Sequence, residues 1–202
     1  VVMGGAVADT AGRHAISEIK LANGQSIPCD CLAVSGGWNP NVHLTCHQRG
    51  RPTWRDDIAA FVPGADLPVG MSVAGAANGT LTMCAALADG HAAGLAAARD
   101  LGFRKAAKSA PAASDEAAGI TAFWHVPSKG KRAWVELQND VTAKDVKLAH
   151  QEGYRSVELV KRYTTLGMAT DQGKTSNIPA LAIMAECTGL TIPQTGTTIF
   201  RP

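Results

Sequence analysis

The sequence has no apolar run approaching the roughly 20 residues that a bilayer-spanning helix needs, and its first residues lack the charged and apolar regions of a signal peptide. Those absences predict a soluble, cytoplasmic protein. It also lacks an excess of either charge, with 19 Lys and Arg scattered among 17 Asp and Glu. Without a basic stripe to neutralise phosphate backbones, nucleic acid is not an expected partner. Five cysteines (Cys29, Cys31, Cys46, Cys84, Cys187) are an odd number and follow no small secreted framework, which predicts reduced thiols and no disulfide. What is present is apolar bulk: 46% of 202 residues, enough for one ordinary core or two small ones. The chain opens on Val1-Val2 and stops at Phe200-Arg201-Pro202 in what reads as an extended segment, so the sequence reads as a fragment.

Residues 1–35 alternate as a β-meander. Ala15 to Leu21 reads as a strand, Asn23-Gly24 as its hairpin turn because both positions tolerate positive φ, and Gln25 as the start of the return. That return continues into the apolar Cys31-Leu32-Ala33-Val34, expected as a buried strand ending at Ser35-Gly36-Gly37. A second buried strand is expected over Gly70 to Ala74, followed by the turn Gly75-Ala76-Ala77-Asn78-Gly79 and a long Ala-rich helix from about Thr80 to Leu101, stopped by Gly102. Alanines and glycines along that helix would let its backbone lie close against a sheet.

From about Lys105 to Gly119 the composition turns to Ala, Ser, Lys and Pro without period, which reads as a linker. Beyond it come a short strand over Ala133 to Leu137 and three short helices. The first has Thr142 as N-cap with Asp145 in a capping box and Gly153 as its stop. The second starts at Ser156 and should bury Val157, Val160 and Tyr163. The third starts near Ser176, tolerates Pro179 in its first turn and ends at Gly189.

Two places attract chemistry. At the strand, glycine turn and helix of Val73 to Thr82, unpaired N–H groups and the helix dipole favour an anion. Its spacing is neither a GxGxxG fingerprint nor a P-loop, so ligand contact and a merely tight turn both stay open. The polar run from Lys161 to Ser176 combines cations, hydroxyls and two glycines between helices, which suits a phosphate or serves as a solvated turn. Cys29, Cys31, His43, Cys46 and His47 do not match zinc spacings, and His91, His125 and His150 have no nucleophile or carboxylate at a diagnostic spacing.

The runs Asp140-Val141-Thr142-Ala143-Lys144-Asp145-Val146, Val160-Lys161-Arg162-Tyr163-Thr164-Thr165 and Gly167 to Asn177 closely resemble the alpha subunit of the heterotetrameric sarcosine oxidase family. Val34 to Asn41 and Val73 to Thr80 are similar to the end of that family's dinucleotide-binding domain. The resemblance implies an α/β fold: the C-terminal part of a disulfide-reductase-like, NAD-binding domain over 1–103, a linker over 104–132, and a small, mainly helical domain over 133–202. It implies an enzyme that demethylates sarcosine to glycine, reduces dioxygen to hydrogen peroxide and passes the one-carbon unit to tetrahydrofolate. FAD would lie in the beta subunit and FMN at the alpha–beta interface, with gamma and delta subunits completing the complex. The tetrahydrofolate domain would lie outside this chain.

The expected NAD contacts are Gly75, Ala76, Asn78, Thr80, Leu81 and Met83. Disulfide-reductase relatives carry an Asp where this chain has Ala76, a departure that suits NAD better than FAD. For FMN the expected contacts are Arg162, Thr164, Thr165, Lys174, Thr175 and Ser176. No catalytic base is expected. The helical segment also resembles the domain that binds a 2Fe-2S cluster in amine and proline dehydrogenases and in bacterioferritin-associated ferredoxin. There four cysteines would fall at Glu136, Gln138, Asp171 and Ser176, and none is a thiol here. The alternatives are the alpha chain of a proline, octopine or opine dehydrogenase, and a non-catalytic module that holds subunits together.

Overall fold

The computed structural model describes residues 1–104, 108–115, 119–127 and 132–196. Two compact units emerge. One is built from Val1–Gly37 and the described residues from Phe123 on, the other from the described residues of Trp38–Ala122. Parts of the linker and the final Phe200-Arg201-Pro202 lie outside the described residues.

The first unit opens with an antiparallel sheet of β1 (Val7–Ala11), β2 (Glu18–Leu21) and β3 (Ser26–Pro28), in the order β1-β2-β3. The Asn23-Gly24 turn forms as its residues dictate. Gly24 takes φ 89° and donates to the Leu21 carbonyl at 2.9 Å, while the Asn23 side chain accepts from Gln25 N–H at 3.0 Å. β3 then ends early. Cys31 to Val34 has no strand beside it among the described residues, and Val34 is exposed, so the expected buried strand is corrected to an extended segment.

The helical part of this unit follows the sequence closely. A hairpin of β6 and β7, in which β6 (Trp134–Glu136) pairs antiparallel with β7 (Val141–Thr142), leads directly into α2 (Ala143–Gln151). The Thr142–Asp145 capping box satisfies two otherwise orphaned N–H groups. At the other end Gly153 and Tyr154 N–H return to the His150 and Ala149 carbonyls, the paired bonds that a left-handed glycine allows. α3 (Val157–Thr164) and α4 (Asn177–Thr188) pack on α2, and a last turn, α5 (Ile192–Thr195), packs on α4. Their core joins Val141, Val146, Val160, Leu166, Ile183 and Met184. Of the three residues expected to be buried on α3 only Val160 is. Val157 is half-buried, and Tyr163 is exposed with its ring 4.6 Å from that of Tyr154.

The second unit contains a hairpin that the sequence reading missed, β4 (Thr53–Arg55) with β5 (Ala60–Val62). Trp54 sits opposite Phe61 with ring centroids 5.0 Å apart, an edge-to-face pair. Gly70 to Ala74 is not a strand, because no neighbour pairs with it among the described residues and Gly70 turns at φ 78°. It leads to a single 3-10 turn over Gly75–Asn78 and then α1 (Met83–Asp100), three residues shorter at its start than expected. Gly102 ends α1 as anticipated. The Ala-rich helix buries none of its residues, and Gly90 and Gly94 face open space, so no sheet lies against it.

Candidate functional site

The turn ahead of α1 is fixed from three directions. Gly75 N–H donates to Asp89 Oδ2 at 2.8 Å, and the Thr80 hydroxyl donates to the same oxygen at 3.2 Å. Asp89 sits on the second turn of α1, so the helix holds its own approach loop. Within the turn, Gly79 N–H returns to the Ala76 carbonyl and Thr80 N–H to the Gly75 carbonyl, each at 3.0 Å. From the hairpin, Arg55 Nη1 donates to the Gly79 carbonyl at 3.3 Å. Arg55 is itself steered by Asp57 through an ion pair, which raises the guanidinium's proton affinity and holds the Asp57 carboxyl below the usual carboxylate range.

Gly79 must be glycine. It adopts φ 76°, and a Cβ there would stand 2.7 Å from Val62 Cγ1 and 2.9 Å from Ile58 Cδ1. Beside the turn lies an open groove of roughly 420 Å³ lined by Trp38, Asn39, Pro40, Asn41, Ala76, Ala77 and Leu81. Ala76 and Leu81 thus share one lining with the Trp38 to Asn41 stretch, although forty residues separate them. Gly75, Asn78 and Thr80 belong to the backbone that supports it. Met83 is the first residue of α1 and is exposed.

The second candidate, the loop between α3 and α4, is organised by Asp171. Its carboxylate accepts from the Thr175 hydroxyl at 2.8 Å, from Gly173 N–H at 3.1 Å and from Thr175 N–H at 3.4 Å. Burial works against its ionisation, yet the bonds from Thr175 and Gly173, with Lys174 beside them, hold the carboxyl below the usual carboxylate range. The loop closes tightly over the buried Asn177: a Cβ on either Gly167 or Gly173 would run into the Asn177 amide. Thr164 is tied back to the Val160 carbonyl at 2.7 Å, and Thr165 ends α3 at φ 63° with its carbonyl accepting from the Asn139 amide at 3.0 Å. Arg162 stands exposed on the last turn of α3, Lys174 is half-buried, and Ser176 is fully buried at the start of α4 with its hydroxyl unpaired.

Glu136, only 2% exposed, turns its carboxylate onto Gln138 N–H at 2.6 Å and Asn139 N–H at 2.8 Å. Asp171 does the same within its own loop. Among the described residues no three His, Cys, Asp or Glu side chains gather as a metal site. Burial pushes the Cys46 and Cys187 thiols up, which suits packing residues better than nucleophiles. A larger cavity of roughly 1250 Å³ in the same unit is lined by Thr10, Trp124, His125, Trp134, Gln138 and Thr175 among others, with the Arg132 guanidinium 5.6 Å over the Trp134 ring. Thr175 is the one expected FMN contact on that lining.

Sequence reasoning missed the residues that do the fixing. Asp89 and Arg55 carry no local signal, because their partners lie 14 and 24 residues away. Asp171 was legible in principle, since an Asp two residues before a Gly and four before a Thr is a turn that closes on its own backbone.

No helix among the described residues is long and apolar enough to cross a membrane. Residues 130–202 match the Sarcosine oxidase A3 domain family. The chain is 42% identical over 97% of its length to the sarcosine oxidase subunit alpha of Rhizobium meliloti (strain 1021), and 42% identical over 90% to that of Corynebacterium sp. (strain U-96). It spans about a fifth of the length of each. In fold it is similar to L-proline dehydrogenase from P. horikoshii, with a TM-score of 0.74 and 18% identity over 96% of this chain and 41% of that one. The chain is mixed α/β, and along nearly its whole length its sequence is similar to sarcosine oxidase alpha subunits, with the A3 domain family matched over residues 130–202.

Proposed function

We propose that this chain is the cofactor-holding segment of an alpha subunit in a complex that oxidises sarcosine to glycine, reducing dioxygen to hydrogen peroxide and transferring the one-carbon unit to tetrahydrofolate. The observation that carries the reading is the 42% identity to sarcosine oxidase alpha subunits along nearly the whole chain. NAD is the ligand we assign to the groove beside the Gly75 to Thr80 turn, because an exposed Trp38, two Asn amides and small Ala side chains offer a ring-sized, neutral lining. The disulfide-reductase-like character of this region belongs to the same proposal.

FMN we assign to the surface near the α3–α4 loop, where a partner subunit would complete the site. Arg162 and Lys174 supply its phosphate contacts. Thr175 is a weaker candidate than the sequence implied, because Asp171 already takes its hydroxyl and its N–H. FAD and the beta, gamma and delta subunits complete the proposed assembly, in which this chain's residues bind and orient and supply no catalytic base. Nothing favours a proline or opine dehydrogenase beyond a fold-level likeness.

The test is to purify the complex that contains this chain and assay it. Sarcosine-dependent hydrogen peroxide, with NAD and FMN each present at about one per complex, is the expected result. Oxidation of proline in place of sarcosine would overturn the substrate assignment.

A further inference from the structure

The turn at residues 75–80 has the outline of an anion cradle and the wiring of something else. Three of its N–H groups are spent before any ligand arrives: Gly75 on Asp89, Gly79 on Ala76 and Thr80 on Gly75. At the start of α1, Cys84 N–H donates to Asp115 Oδ1 at 3.1 Å, so a carboxylate already occupies part of the helix's positive end. The guanidinium nearest the turn is committed to the Gly79 carbonyl and to Asp57. Among the described residues no cation lines the groove: its polar groups are the amides of Asn39 and Asn41, and the rest is Trp38, Pro40, Ala76, Ala77 and Leu81. With the N–H groups of those three positions and of Cys84 already engaged, two of them by carboxylates, the turn is poorly disposed to a phosphate.

We propose that this turn receives a ring of the dinucleotide rather than its pyrophosphate, stacked against Trp38 with its edge toward the Asn amides, while the pyrophosphate binds elsewhere. Asp89 is a positioning residue: it touches no ligand, and it sets the height of Ala76 and Ala77 in the groove by holding Gly75 N–H and the Thr80 hydroxyl. The inference rests on the NAD reading above and deepens it. Either ring of the dinucleotide has the required chemistry, and the probes separate them.

Calorimetric titration of the nucleotide-stripped complex with NAD, and with ADP-ribose, which keeps the pyrophosphate and lacks the nicotinamide ring, decides the matter. Asp89→Asn keeps an acceptor for Gly75 N–H and removes the charge; NAD affinity should stay within about threefold of the parent with the same salt dependence. Asp89→Ala releases the turn and should weaken NAD by about tenfold, a loss that Asn rescues. Trp38→Ala should weaken NAD by about tenfold as well, ADP-ribose falling with it if the ring is adenine and holding if the ring is nicotinamide.

Tightening of both NAD and ADP-ribose by about tenfold in Asp89→Asn would mean that a phosphate had been repelled by that carboxylate, and would overturn the proposal. Parent-like NAD binding in Asp89→Ala or in Trp38→Ala would overturn it too. A parent complex that binds no NAD removes the functional reading itself, and this inference with it, whereas the variant outcomes strike the inference alone.

Discussion

Gly79 and Asp171 show how single positions hold the two candidate loops. Gly79 is bounded by Val62, Ile58 and Arg55, and its φ of 76° is one that side-chain-bearing residues adopt at a cost. Gly79→Ala should destabilise the protein by about 2 kcal/mol, the sum of a left-handed penalty and a contact that Val62 can only partly yield. A thermal melt of parent and variant checks this, and an unchanged melting temperature would show that the hairpin does not brace the turn. At Asp171 the sign of the pH effect follows from the direction of its shift. A carboxyl held lower in the folded protein than in the unfolded chain contributes fully above the ordinary carboxylate pKa and loses that contribution as pH falls through the folded value. Parent should therefore exceed Asp171→Asn by about 1 kcal/mol, constant above about pH 5, with the gap closing below about pH 4. Urea midpoints measured across that range test it; a gap that widens on acidification contradicts the assignment.

Among the elements, those built by contacts close in sequence were the legible ones. The Asn23-Gly24 hairpin, the Thr142–Asp145 capping box and the glycine stops at Gly102, Gly153 and Gly189 each arise from residues within a few positions of one another. Cys31 to Val34 and Gly70 to Ala74 were misread because an apolar run states only that a segment can be buried, whereas a strand also needs a neighbour to pair with. The β4–β5 hairpin escaped for the opposite reason: its strands are three residues long and its turn carries Ala59 at φ 47°, where Gly or Asn would have marked it. α4 is the element on which the first unit depends, since eight of its residues are buried. Ile183, 1% exposed among Val146, Val160 and Met184, should cost about 3 kcal/mol as Ile183→Ala, because close-packed neighbours relax only partly around the cavity. Amide exchange in α2 and α4 would report it, and exchange rates matching the parent would mean that the helices are held by something other than this core.

At the scale of the whole molecule, the charged groups of the helical region divide by what they bind. Two carboxylates, Glu136 and Asp171, satisfy backbone donors of their own loops. Arg162 and Lys174 are the cations assigned above to the flavin phosphate, Lys174 also helping to hold Asp171 ionised. Arg162 is exposed at the end of α3, and Lys174 sits beside an Asp171 that is already saturated by Thr175 and Gly173. If they clamp a flavin phosphate where a partner subunit docks, each contributes a charge-assisted hydrogen bond worth about 1.5–3 kcal/mol, so removing both should slow electron transfer at that interface by at least about tenfold or prevent assembly. The double variant Arg162→Ala, Lys174→Ala, purified as the complex, should still reduce its sarcosine-facing flavin at the parent rate while the second flavin is reduced slowly in stopped-flow traces. Exposed ion pairs with no ligand would behave differently, since such pairs contribute about 0–1 kcal/mol and their loss leaves catalysis untouched. A double variant that assembles fully and consumes dioxygen at the parent rate would therefore remove the phosphate clamp and leave the two cations as ordinary surface charge.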